Sequence, residues 1–346
     1  MHATREEFGS GFVGAVEQFG PRPLILGHFD ADGLSAAAIL QRALARSGRE
    51  PAIRIVGKGE QPWSEEMRRE LGEKKPGGLI VTDLGVREGA LLPGTPTIVI
   101  DHHVPAGTPG DALVISGHGL VPEPTSALLA YWCVSALGDN HELLWLAAIG
   151  LIGDMAQGAG LEELAAAERR YGKTALRNAV ALINAPRRTA RADASPALSL
   201  LLKCDSPKEL LSGTHPETEA LHAAREEVRA AVAAARRVAP KVQGEVALLP
   251  LASPCQIHPL IAQQWRGRMA DKVVIAANRA YRLGWVHFAA RTASGRDLIE
   301  FLAERRPPGA DGHYGSGHRQ ATGGALRHAD WNEFISALGF PEEQIS

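Results

Sequence analysis

Three apolar runs in the first hundred residues each stop at an acidic residue. Pro23-Leu24-Ile25-Leu26-Gly27-His28 stops at Asp30-Ala31-Asp32-Gly33, Gly78-Leu79-Ile80-Val81-Thr82 at Asp83, and Thr97-Ile98-Val99-Ile100 at Asp101. Short runs that are apolar at every position are the mark of strands buried on both faces. Leu34 to Ala45 is rich in Ala and Leu and reads as a helix, and Ala52 to Val56 reads as a further strand. Strand–helix–strand order with right-handed crossovers builds a mostly parallel sheet. Such sheets take their ligands at the carboxyl ends of the strands. One acid at that edge is commonplace. Three, beside His28 and the pair His102-His103, form a constellation.

The rest of the chain divides by pattern. Thr125–Leu137, His141–Ile152, Leu161–Arg170 and Lys173–Asn184 read as helices, with Asp154 just after the apolar second one. Residues 185–216 carry Pro186, Pro196, Pro207 and Pro216 and read as turn-rich. Glu217 to Val238 has no breaker and reads as one long helix, ended by Pro240. Beyond it, Glu245–Pro250, Lys272–Ala277 and Arg282–Ala290 read as strands, Leu298–Glu304 as a helix, Gly309–Gly324 as a glycine-rich loop and Trp331–Leu338 as a last helix. The fold class is therefore α/β. A mostly parallel N-terminal sheet flanked by helices (1–184) is followed by a helical connector (185–240) and a smaller C-terminal α/β domain (241–346). Aromatics at 5% and 37 glycines suit close-packed helices on strands better than an aromatic-rich sandwich.

The acidic constellation calls for cations. In an extended turn, residues two apart point the same way, so His28, Asp30 and Asp32 are expected to converge, with Gly33 allowing a sharp turn. Adding Asp83, Asp101, His102, His103 and Asp154 gathers many carboxylates that would repel unless neutralised. Oxygen and imidazole donors without thiolates favour divalent Mn²⁺ or Mg²⁺ over structural Zn²⁺.

His28-Phe29-Asp30-Ala31-Asp32-Gly33, Asp83, Asp101-His102-His103 and Gly150-Leu151-Ile152-Gly153-Asp154, in that order, resemble the four motifs of the DHH phosphoesterases. Gly315-Ser316-Gly317-His318 is similar to the glycine–histidine loop of the DHH-associated domain, with Ser316 where that loop has its middle glycine. The resemblance covers nearly the whole chain. It implies one metal on His28, Asp30 and Asp83 and a second on Asp32, Asp83, His102 and Asp154, with Asp83 as the bridge. It implies that Asp101 orients the histidines and that His103 sits near the leaving group or a phosphate oxygen. Asp83, Asp101, His102 and His103 are thus the expected catalytic residues. In the C-terminal domain it implies that Arg291, at the end of the strand Trp285–Thr292, binds a substrate phosphate beside Gly315, Ser316, Gly317 and His318. An arginine fork donates two bonds to phosphate.

Residues 250–340 hold eleven Lys and Arg against seven Asp and Glu, while the whole chain carries a net −2. This modest local excess excludes a polybasic coat and agrees with an anionic substrate. Arg187, Arg188 and Arg191 read as a solvated loop or as the lining of a path for a strand. Trp265, Trp285 and Trp331 read first as core, with stacking on bases as the alternative. Cys255 has no partner pair that would make it a zinc ligand with His258. Three dispersed cysteines and a start without a basic–apolar leader place the expected setting in a reducing cytoplasm.

The form His-Phe-Asp-Ala-Asp-Gly of the first motif, and Asn184-Ala185-Pro186-Arg187, resemble the RecJ-like branch. The expected activity is a RecJ-like exonuclease that releases mononucleotides from single-stranded DNA, RNA or short oligonucleotides. The length leaves no room for an OB-fold, which directs the expectation to short substrates. A small-nucleotide hydrolase, acting on 3′-phosphoadenosine 5′-phosphate or on dinucleotides, is the alternative. A non-catalytic replication- or repair-associated binding protein is the third reading, and pyrophosphatase is disfavoured by the glycine–histidine loop.

Overall fold

The computed structural model describes residues 4–310, 314–315 and 317–345. It divides into two compact units, Met1–Arg187 with Ala192–Ala223, and Arg188–Arg191 with Ala224–Ser346. The segment 185–240, read above as a connector, is shared between them.

The first unit holds α1 (Arg5–Val16), β1 (Leu24–His28), α2 (Ala31–Arg46), β2 (Ala52–Val56), α3 (Glu65–Glu73), β3 (Leu79–Thr82), β4 (Thr97–Asp101) and β5 (Leu113–Ser116). The helices α4 (Ser126–Ser135), α5 (Leu144–Gly153), α6 (Glu162–Tyr171), α7 (Lys173–Ile183), α8 (Ser195–Lys203) and α9 (Pro207–Leu211) follow, and α10 (Pro216–Ala235) crosses the division. The five strands lie in the order β2-β1-β3-β4-β5, all parallel. One face packs Ile25, Ile80 and Ile98 against α2, α4 and α5. The other packs Leu26, Val81 and Val99 against Met67 and Leu71 of α3. Burial on both faces explains why β1, β3 and β4 are apolar except at their ends, where His28, Thr82, Thr97 and Asp101 stand. Helix α5, Leu-Trp-Leu-Ala-Ala-Ile-Gly-Leu-Ile-Gly, is apolar all round because it is central, with eight of its residues buried. Ala36, Ala37 and Ala38 keep α2 slim enough to pack between its neighbours.

In the second unit β6 (Lys241–Gln243), β7 (Val246–Leu251), α11 (His258–Arg266), β8 (Val273–Arg282), β9 (Trp285–Thr292), α12 (Leu298–Ala303), β10 (Gly317–His318), β11 (Ala321–Arg327) and α13 (His328–Ala337) form a mixed sheet with helices. The strand order is β10-β11-β9-β8-β7-β6, and only β7 and β8 run parallel. One face packs against α12 and α13 around Phe288, Phe334 and Trp331. The other packs against α11 and the end of α10 around Leu249, Ile261 and Val228. Residues 317–324 of the glycine-rich stretch are not a free loop. Gly317 pairs with Thr322 and His318 with Ala321, so they turn a hairpin at the sheet edge. The three cysteines are buried free thiols. Among the described residues no helix is long and apolar enough to cross a membrane.

Candidate metal centre

The strand-end acids meet at the carboxyl edge of the parallel sheet. His28 is the last residue of β1, and Asp30 is the N-cap of α2, where its Oδ1 accepts from the Gly33 amide at 3.1 Å. The segment is therefore a strand end and a helix start, not an extended turn. Asp30 and Asp32 consequently face different partners. A Cβ on Gly33 would lie 2.6 Å from the His28 carbonyl, so the turn from β1 into α2 requires a glycine there.

One group is His28, Asp30 and Asp83, the other Asp32, His102 and Asp154, and Asp83 and His102 also gather with His103. His28 Nδ1 lies 3.1 Å from Asp30 Oδ2 and 3.5 Å from Asp83 Oδ2. His102 Nε2 lies 3.1 Å from Asp154 Oδ2, 3.6 Å from Asp83 Oδ1 and 3.9 Å from Asp32 Oδ2. Asp83 stands between the groups and turns one oxygen to each. It follows β3 with φ of 61°, a left-handed conformation that aims its carboxylate across the strand ends.

Asp101, fully buried, accepts from the Gly85 amide at 2.7 Å and from the His103 amide at 2.7 Å. Its Oδ1 also lies 3.0 Å from His103 Nδ1. Its contacts are thus with His103, and His102 is not among them.

Neighbours given no role by the sequence reading complete the site. At the start of α4 the Ser126 and Ala127 amides donate to Asp32 at 2.8 and 3.0 Å, and the Ser126 hydroxyl donates to Asp83 Oδ1 at 3.0 Å. The sequence signal was Pro124-Thr125-Ser126 opening an apolar run, a helix N-terminus that favours a carboxylate. Asn184 Oδ1 accepts from the Ala31 amide at 3.1 Å. Arg187, read as solvated, is largely buried and places Nη1 3.3 Å from Asp30 Oδ2.

The electrostatics show how much negative charge is gathered. Burial disfavours the charged form of His28, yet Asp30 and Asp83 outweigh it and push the ring up to about 10. His102 is pushed up to about 12 against its burial by Asp154, Asp83 and Asp32. Burial, then the charges of Asp83 and Asp154, hold Asp32 well above the usual carboxylate range. Asp30 is held well below it, because His28 and then Arg187 overcome its burial. The donor set fits divalent cations. Asp30, Asp32, Asp83 and Asp154, once ionised, balance the four positive charges of two such ions. His102 Nε2 is buried, and none of its carboxylate contacts is aligned as a hydrogen bond. An imidazole nitrogen aimed at three carboxylates without an aligned bond suits a metal ligand.

In the second unit, Arg291 pairs with Ala321 of β11, and Ala321 pairs with His318 of β10. Arg291 and His318 therefore occupy one row of the sheet and share a face, two strands or roughly 10 Å apart. Arg291 Nη1 donates to the Ala290 and Thr322 carbonyls at 2.8 and 3.0 Å. Gly315 donates to the Gly323 carbonyl at 2.9 Å, and Gly317 has φ of 137° with no space for a Cβ beside the Ala321 carbonyl. Ser316 lies outside the described residues. His258, given no role by sequence, is buried 6.1 Å from the His287 ring, and burial, then His287, Arg188 and Arg291, hold it well below the usual imidazole value. Positive charge therefore collects around Arg291.

A parallel sheet whose carboxyl edge gathers DHH-type carboxylates and imidazoles, joined to a mixed-sheet unit, defines a class of fold shared by several known proteins. No family model matches the chain. The single-stranded-DNA-specific exonuclease RecJ of Thermus thermophilus is 30% identical over 353 residues, covering 90% of this chain and 50% of that protein. The chain thus spans about half the length of the curated relative it matches. A crystal structure of exonuclease RecJ bound to manganese superposes with a TM-score of 0.69 at 23% identity, covering 99% of this chain and 95% of that one. The DHH domain of a member of a family of ribosomal proteins gives a TM-score of 0.66 at 15% identity, covering 97% and 92%. In fold and in the order of its motifs the chain is similar to these RecJ and DHH-domain proteins.

Proposed function

We propose that this protein is a metal-dependent phosphodiesterase that removes mononucleotides from single-stranded DNA, RNA or short oligonucleotides. The observation that carries this reading is Asp83, whose two oxygens face His28 on one side and His102 on the other. His28, Asp30 and Asp83 would hold one divalent ion, and Asp32, Asp83, His102 and Asp154 a second. Mn²⁺ is favoured and Mg²⁺ accepted, in keeping with oxygen and imidazole donors and with RecJ structures that contain either ion. When bound, such a pair supplies charge stabilisation for in-line phosphoryl displacement.

The chain's own residues would position the rest. Asp101 fixes the His103 ring through Nδ1, which leaves Nε2 to face a phosphate oxygen or the leaving group. The same hydrogen bond raises the His103 pKa and favours a ring able to donate. Ser126 and the α4 amides hold Asp83 and Asp32 in place. Arg291 and His318, on one row of the second sheet, would grip a substrate phosphate. The RecJ relative acts on single-stranded DNA, which supports a nucleic-acid substrate.

The test is a panel of end-labelled DNA and RNA from two to thirty nucleotides, with 3′-phosphoadenosine 5′-phosphate alongside, assayed with Mn²⁺ and after chelation. Stepwise mononucleotide release that chelation stops is expected. Turnover of only the small nucleotide would replace the substrate class, and no turnover of any phosphoester by metal-loaded protein would overturn the reading.

A further inference from the structure

A second set of metal-type donors lies in the first unit, and it shares no residue with the Asp83 cluster. Cys204 caps the end of α8, Glu209 lies on α9, and His215 immediately precedes α10. The Cys204 thiol, one Glu209 oxygen and a His215 nitrogen all lie within 4.8 Å of one another.

Two of the three groups have an ordinary explanation. His215 Nε2 is 3.2 Å from Glu209 Oε1, an imidazole–carboxylate contact. The thiol has none. Cys204 is fully buried, and among the described residues its sulfur makes no hydrogen bond. It is also buried beside carboxylates. Burial, then Glu209 and Asp205, push the thiol up to about 11, so the bare site disfavours the thiolate.

The surroundings leave the donors available. Asp205 is engaged by Arg42 Nη2 at 2.5 Å, and Arg42 Nη1 donates to the Cys204 carbonyl at 2.7 Å. The Asp205 amide donates to Glu209 Oε2 at 2.8 Å, which fixes the carboxylate and leaves Oε1 turned toward His215. A thiolate and a carboxylate carry two negative charges, which one divalent ion neutralises.

We propose that Cys204, Glu209 and His215 bind one Zn²⁺-class ion, with water in the fourth position. Three protein ligands of sulfur, nitrogen and oxygen type are a tetrahedral zinc donor set, whereas the Asp83 cluster has no sulfur. The ion ties the end of α8, α9 and the start of α10 together, so it stabilises that corner of the fold.

Co²⁺ is the probe, because a thiolate ligand gives it a charge-transfer band in the near ultraviolet that carboxylate and imidazole ligands do not give. Metal-stripped full-length protein is titrated with Co²⁺, and Zn²⁺ is then added. A thiolate band that Zn²⁺ removes is expected. Cys204→Ser should abolish it, and His215→Gln should weaken Co²⁺ binding at least about tenfold, the loss that even an outer partner of a ligand costs. Circular dichroism confirms that each variant is folded, and His215→Gln decides the question where Cys204→Ser does not fold. No band in the folded protein overturns the proposal. So does a band that survives Cys204→Ser, which would belong to Cys133 or Cys255, or a Co²⁺ affinity unchanged in His215→Gln. The readout is independent of hydrolysis, so its failure leaves the reading of the Asp83 cluster untouched.

Discussion

Gly150 of α5 stands against Asp32 of α2 so closely that a Cβ there would lie 2.2 Å from Asp32 Oδ1 and 2.5 Å from the Ala127 Cβ. The same two neighbours are joined to each other, since the Ala127 amide donates to Asp32. The central helix therefore carries a glycine where it passes the acidic cluster. Gly150→Ala should displace Asp32. A loss of about 1–3 kcal/mol in unfolding free energy is expected from overpacking, together with weaker Mn²⁺ binding. Denaturant midpoints and a Mn²⁺ titration check both. Wild-type Mn²⁺ affinity would show that Asp32 is not held by this contact.

Asp83 is best tested with asparagine. Its φ of 61° suits Asn far better than a β-branched residue, so Asp83→Asn removes charge without forcing the backbone. If one carboxylate serves both groups, kcat should fall by about 10³-fold or more, the effect of losing several kcal/mol of charge stabilisation. A variant within tenfold of wild type would rule out the bridging role.

Metal binding should release protons. In the metal-free protein His28 is pushed up to about 10 and His102 up to about 12, so both rings are charged at pH 7. A metal ligand must be neutral, so binding displaces those protons. Raising the pH lowers the cost of that displacement, and Mn²⁺ affinity should rise with pH across the neutral range. Calorimetry in buffers of different ionisation enthalpy should find the two ring protons released per protein, with that of Asp32 in addition. No release would contradict the charged-imidazole state.

If Arg291 grips the substrate, its replacement should separate grip from chemistry. Arg291→Lys keeps one charge but loses the fork, and the lost charged hydrogen bonds amount to about 1.5–3 kcal/mol. KM for an oligonucleotide should rise tenfold or more by that estimate, with Mn²⁺ content unchanged. Turnover of a minimal aryl phosphate should change little. Arg291 Nη1 also holds the Thr322 carbonyl, so melting temperature is read in parallel. Equal losses on both substrates at wild-type stability would assign Arg291 to the chemical step.

The parallel sheet and its acidic edge were legible in the sequence because their signals are local. A strand buried on both faces must be apolar at each position, and a turn after it exposes whatever residue follows. β1, β3 and β4, with His28, Asp83 and Asp101 at or just past their ends, could be read that way. The short β5 and the edge hairpin of β10 and β11 could not, since a four-residue strand and a pair of glycine-bearing strands carry little periodicity. Which acid faces which histidine is not a local property. Asp30 and Asp32 are two residues apart, yet the helix start turns one toward His28 and the other toward His102. The Ser126 hydroxyl reaches Asp83 across 43 residues of chain, and Arg187 reaches Asp30 across 157. Sequence alone determined that carboxylates and imidazoles would line one sheet edge. Only the packing of α2, α4 and α5 over that edge sorted them into two groups around Asp83, because side-chain direction depends on how distant helices dock.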